Sequence, residues 1–109
     1  MERLRKTEDF SRVYRQGKSK ADRNLVVIYV PGSEDGIRLG ISVSKKVGNS
    51  VVRHRTKRRI REAARLHEES FPGSGDYVII ARHHGACAEY GELVSSLTHI
   101  LARLKEGRT

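Results

Sequence analysis

Cysteine is almost missing from this 109-residue chain, with Cys87 standing alone. That excludes an internal disulfide framework and any zinc site built on clustered thiolates, and it suits a reducing compartment. Proline occurs only twice and no low-complexity run interrupts the pattern, so nothing argues for a linker or a disordered tract. Long apolar runs are also lacking. The longest, Leu25 to Pro31, falls far below the ~18 to 20 residues of a membrane-crossing helix, and the opening MERLRKTEDF has no apolar signal-peptide core. A cytoplasmic protein without a membrane partner is expected. The 37% of hydrophobic residues are enough for a modest core in one domain spanning residues 1–109.

Acids are scarce as well, 13 Asp and Glu against 22 Lys and Arg for a formal charge of +9. The excess is not evenly spread. Residues 45–65 hold nine Lys/Arg and one Glu, and residues 1–23 hold eight against four, whereas residues 24–44 and 66–109 are mildly acidic. A field with one basic side suits a polyanion, either nucleic acid or an anionic membrane surface.

Thr7 followed by Glu8 and Asp9 has the character of a helix N-cap with acids in the first turn. Phe10, Val13 and Tyr14 fall at i, i+3 and i+4, and Gly17 suits a C-terminal cap, which predicts a helix over 8–16. Leu25 to Val30 is apolar on both faces, as a covered strand would be, and Ile37, Leu39, Ile41 and Val43 alternate with Arg38, Gly40, Ser42 and Ser44. Pro31, Gly32, Ser33, Glu34, Asp35 and Gly36 between them predict a hairpin loop. Asp76 to Arg82 reads as a third strand after a turn at Pro72 to Gly75, and Glu89 to Lys105 carries a helical apolar stripe.

The basic segment lies between the second and third strands. At 100° per residue, Val52, Thr56, Ile60, Ala63 and His67 share one arc, bordered by Ala64 and Leu66, and this face is expected against the sheet. His54, Arg58, Arg61 and Arg65 occupy the opposite face, with Lys57 beside them and Arg53, Arg55 and Arg59 on the flanks. Like charges at i, i+4 cost an isolated helix a few tenths of a kcal/mol per pair. A polyanion outside the chain would offset that cost.

The stretch from Lys45-Lys46-Val47-Gly48-Asn49 through Arg53-His54-Arg55 to Lys57-Arg58-Arg59-Ile60-Arg61-Glu62 closely resembles the signature of the bacterial ribonuclease P protein component. Asp9-Phe10, Val13-Tyr14, Gly17-Lys18-Ser19, the Arg38 to Ser44 strand and Asp76 to Arg82 also resemble family segments in order and spacing. One departure is central: His54 stands where the family usually has Asn. Neutral imidazole offers one donor and one acceptor, and the imidazolium two donors.

The resemblance implies an α+β fold, a small mixed sheet packed with an N-terminal helix, a basic crossover helix and a C-terminal helix. General chirality favours a right-handed crossover, whereas the family implies a left-handed one. It also implies that the catalyst is an RNA subunit, cleaving the 5′ leader from precursor tRNA with Mg²⁺ held mainly by RNA. The protein's partners would be that catalytic RNA and precursor tRNA, with no small-molecule substrate. Lys45, Lys46, Asn49, Arg53, His54, Arg55, Lys57, Arg58, Arg61 and Arg65 would meet the catalytic RNA. Phe10, Arg12, Tyr14 and Lys18 would line a leader cleft between the first helix and the sheet. No catalytic residue and no metal ligand is implied in the protein.

Other readings compete with these. Phe10 and Tyr14 at helical spacing are, without the resemblance, more often core than a platform for base stacking. Gly17-Lys18-Ser19 follows a helix rather than opening one, so it is not a phosphate-binding loop. Adjacent His83 and His84 point apart if the strand continues through them; Cys87 lacks a basic partner in sequence, His67 suits a helix-end core histidine, and Glu68-Glu69 a solvated surface. A ribosomal or RNA-chaperone protein would share the basic helix without needing the cleft. A stand-alone metal nuclease would need clustered carboxylates, and Asp22, Glu34, Asp35 and Glu62 are scattered over different elements.

Overall fold

The computed structural model describes residues 1–32 and 36–106. In chain order the elements are β1 (Glu2–Arg3), α1 (Thr7–Gln16), β2 (Lys18–Ala21), β3 (Leu25–Pro31), β4 (Ile37–Ser42), α2 (Ser50–Leu66), a 3₁₀ turn (Glu68–Ser70), β5 (Gly75–Ala81), α3 (His83–Cys87) and α4 (Tyr90–Glu106). The strands form one mixed sheet in the order β1-β4-β5-β3-β2. This is the expected α+β class.

Strand order follows from which strands are apolar on both faces. Val78 and Ile80 of β5 face one way and Tyr77, Ile79 and Ala81 the other, all buried or nearly so. β5 therefore takes the centre, antiparallel to β3 and parallel to β4. The expected β3–β4 hairpin is corrected accordingly: the two strands are consecutive in sequence, yet β5 separates them. Burying both faces of β5 outweighs the short-range pairing that the turn residues suggested. Of that loop, Ser33, Glu34 and Asp35 lie outside the described residues. Parallel β4 and β5 require a long crossover, which α2 supplies.

Each face of the sheet has its own core. On one, Leu25, Val27, Tyr29, Leu39, Ile41, Tyr77 and Ile79 meet Ile60 and Ala63 of α2 and Leu93, Leu97, Ile100 and Leu101 of α4. Tyr29 and Tyr77, directly opposite in register, stack with centroids 4.3 Å apart, and Phe71 meets Tyr77 edge-on at 4.8 Å. On the other face, Val13 of α1 packs with Leu4, Ile28 and Val78, joined by half-buried Phe10. The face of α2 that carries Thr56, Ile60 and Ala63 is indeed inward, but it rests on α4, α3 and β4 rather than on the sheet alone. Leu66, expected at its border, is 51% exposed.

Three short elements differ from the periodicity reading. β1 and β2 are the two sheet edges, only two and four residues long, too short and too polar to give an alternating signal. The His83-His84 pair does not continue a strand: the chain leaves β5 at Arg82 and turns into α3, which packs so closely on Asn24 that Gly85 has no room for a Cβ. At α1 the helix already includes Thr7; Lys6 holds the cap position and makes no side-chain capping bond. Gly17 does end α1, in extended rather than left-handed geometry; it suits the position for space, since a Cβ there would collide with Ile28 and lie 2.6 Å from the Val13 carbonyl.

Candidate nucleic-acid interface

The basic helix is set by a capping bond, since the Asn49 Oδ1 accepts from the Val52 N–H at 3.0 Å. Its first turn contains no acid, so the positive end of the helix dipole is left unopposed beside Arg53. Lys45 and Lys46 are exposed in the turn that leads into it. Asn49, expected to meet RNA, thus also has a structural duty.

The cations of α2 do not form one ridge. Arg55 and Arg58 are exposed with His54 around a shallow groove of about 500 Å³ that also includes Ser50 and Val51, the latter 70% exposed. Lys57 and Arg61 are half-buried and line a different groove, toward β1 and α1. Arg65 is ion-paired with Glu62 at 2.7 Å, and the hydrogen bond and charge of Glu62 push its pKa up. Burial, with the nearby Arg3 charge, pushes Arg61 down. Arg59 turns toward the Ala88 carbonyl, 3.5 Å away. The Glu62–Arg65 pair is local to the helix, but the burial of Lys57 and Arg61 and the turn of Arg59 toward Ala88 depend on residues far away in sequence, which a helical wheel does not contain.

On the other face of the sheet, Phe10 and Tyr14 sit together on α1, with centroids 6.4 Å apart and rings inclined at 49°. They divide the two roles left open by their spacing. Phe10 packs over Gly40, where a Cβ would lie 2.5 Å from its ring, so a side chain at 40 would displace it. Tyr14 is 47% exposed. Lys18 begins β2 directly after α1 and is exposed on the edge strand.

Arg12 is not a free cation in this cleft. Its guanidinium is bound to Asp76 and lies 3.7 Å from Asp9. Arg38 donates to both oxygens of Asp76 through Nε and Nη2, at 2.8 and 2.7 Å, and lies 3.6 Å from Asp9. Asp76 is only 7% exposed. Its burial pushes the carboxyl pKa up, but the hydrogen bonds and charges of Arg38 and Arg12 outweigh that and hold it below the ordinary carboxylate value. The cluster ties α1 to β4 and β5, and it escaped sequence reasoning because its members lie far apart in the chain.

A lowered folded-state pKa gives stability that is present above the unfolded-state value and is lost as pH falls through the folded one. Asp76→Asn should therefore cost about 1.5 to 3 kcal/mol at neutral pH and lower the melting temperature by roughly 10 °C. The variant should also lose less stability than the native protein on acidification. Thermal melts at neutral and acid pH check both effects; equal melting temperatures at neutral pH would show that the cluster is not stabilising.

The donor set of the described residues does not fit a resident Mg²⁺. Among the described residues no three His, Cys, Asp or Glu side chains are grouped to hold a metal, and Asp9 and Asp76 are already engaged by arginines.

A basic helix on one side of an α+β sheet and an aromatic pair on the other suit a protein of the RNA-binding class. Residues 1–105 match the family model of ribonuclease P. Among curated relatives, the ribonuclease P protein component of Halalkalibacterium halodurans is 42% identical over 104 residues, covering 94% of this chain and 87% of that one. That of Lachnoclostridium phytofermentans is 49% identical over 100 residues, covering 91% and 85%. The solved RNase P protein of Staphylococcus aureus superposes with a TM-score of 0.87 at 39% identity, covering 96% of both chains. The Thermotoga maritima RNase P protein gives 0.85 at 31%, covering 94% and 97%. The chain belongs to the ribonuclease P protein family.

Proposed function

We propose that the chain acts as the protein subunit of an RNase P ribonucleoprotein, in which an RNA carries out the cleavage and holds most of the Mg²⁺. Its own residues bind and position: Lys45, Lys46, His54, Arg55 and Arg58 take the catalytic RNA, and Tyr14, with Phe10 packed beside it, takes the 5′ leader of precursor tRNA. The observation that carries this reading is the imbalance of residues 45–65, nine Lys/Arg against one Glu, with Lys45, Lys46, Arg55 and Arg58 all exposed. Phosphate neutralisation with release of counterions rewards such a surface. His54 keeps the family position on the exposed face, where an imidazole can stack or donate to phosphate. The ribosomal or RNA-chaperone alternative is not favoured by these relatives, which are named as ribonuclease P protein components.

Sequencing the RNA that co-purifies with the native protein tests this reading. One abundant structured RNA together with precursor tRNA is expected. Ribosomal RNA in its place would contradict the assignment.

A further inference from the structure

Four cations from three parts of the chain converge on a groove of about 380 Å³ beside Phe10: Arg3 from β1, Arg5 from the segment before α1, and Lys57 and Arg61 from α2. Gly40 and its neighbours on β4 form the floor. Among the described residues none of the four makes an ion pair or side-chain hydrogen bond, whereas Arg12, Arg23, Arg38 and Arg65 each face a carboxylate. The adjacent acid Glu2 lines a separate groove with Arg12, Arg38 and Asp76. Like charges held together around a concavity, without an acid among them, repel one another unless an anion enters. Arg61 registers that repulsion, being pushed down by burial and by Arg3.

We propose that this groove is a phosphodiester site, in which Arg3 and Arg5 join Lys57 and Arg61 to hold the backbone of an RNA strand running from the α2 surface toward Phe10. The proposal rests on the RNA-binding reading above. It adds the N-terminal segment to the interface and gives Lys57 and Arg61 a partner strand distinct from the one on Arg55 and Arg58. Arg3 and Arg5 are exposed, so neither guanidinium is needed for the core. The phosphates can belong to the catalytic RNA or to the leader, and the two sources separate by experiment.

The test uses the full chain with Arg3 and Arg5 both changed to Gln, and a second variant with both changed to Lys. Binding to the RNase P RNA is measured across salt, as is binding of the reconstituted complex to precursor tRNA with and without its leader. In the Gln variant the log-log salt slope should fall by about 1.4, ~0.7 for each single-strand phosphate that is no longer neutralised, and the Lys variant should largely keep it. A fall in RNase P RNA binding assigns the groove to that RNA; a fall confined to leader-bearing precursor assigns it to the leader. Unchanged slopes in every arm overturn the proposal, as does an equal fall in the Lys variant, which would mark damaged packing. Arg55→Ala with Arg58→Ala, run alongside, separates the two failures. If that variant has a reduced slope while the Gln variant does not, only the groove is refuted; if neither does, the RNA-binding reading fails with it.

Discussion

Removing Arg55 and Arg58 together, as the double alanine variant, should weaken binding to the catalytic RNA by about 2 kcal/mol, or ~30-fold, near physiological salt. The log-log salt slope should fall by about 1.6, since each neutralised phosphate contributes ~0.7 to 0.9. Both side chains are exposed on the outer groove, so folding does not depend on them. Their removal relieves like-charge repulsion at i, i+3, and the melting temperature should hold or rise by about 2 °C. Binding titrations over a salt series, with a thermal melt, measure all three. Unaltered affinity and slope in a folded variant would make this face of α2 an ordinary solvated surface.

Tyr14→Leu should act on substrate choice rather than on assembly. The ring is 47% exposed, so an apolar replacement leaves the α1 core of Val13, Leu4, Ile28 and Val78 in place. Stacking on an exposed aromatic contributes ~1 to 3 kcal/mol per base, and mature tRNA lacks the leader bases that would use it. The holoenzyme should therefore bind precursor about 5- to 150-fold less tightly, with mature tRNA binding, RNA assembly and melting temperature unchanged. Equal losses for precursor and mature tRNA, with a lower melting temperature, would make Tyr14 a core residue. Phe10 cannot serve in its place, because its ring also fills the space over Gly40.

The two-sided strands, the basic helix and the C-terminal amphipathic helix were legible because each shows itself through local periodicity. Residues 45–65 were legible through charge alone. What escaped depends on residues distant in sequence. β1 and β2 exist as strands only because β4 and β3 offer them edges to pair with. The insertion of β5 between β3 and β4 reflects burial of both its faces, which a nearby turn does not encode. At the site, the wheel placed Arg61 with Arg58, whereas packing against the N-terminal segment sends Lys57 and Arg61 to another groove. The resemblance placed Arg12 in the leader cleft, and Asp76, 64 residues away, binds its guanidinium. Phe10 and Tyr14 had identical credentials in sequence; the bare Gly40 beneath one of them assigns their different roles.

The most direct test of the central claim is cleavage of precursor tRNA by three samples in Mg²⁺: rigorously RNA-free protein, the catalytic RNA alone, and the two combined. The protein alone should leave the precursor intact, and the combined sample should cut at the mature 5′ end more efficiently than the RNA alone at the same Mg²⁺ concentration. Metal-dependent cleavage by the RNA-free protein would contradict the account, as would a combined sample no better than the RNA by itself.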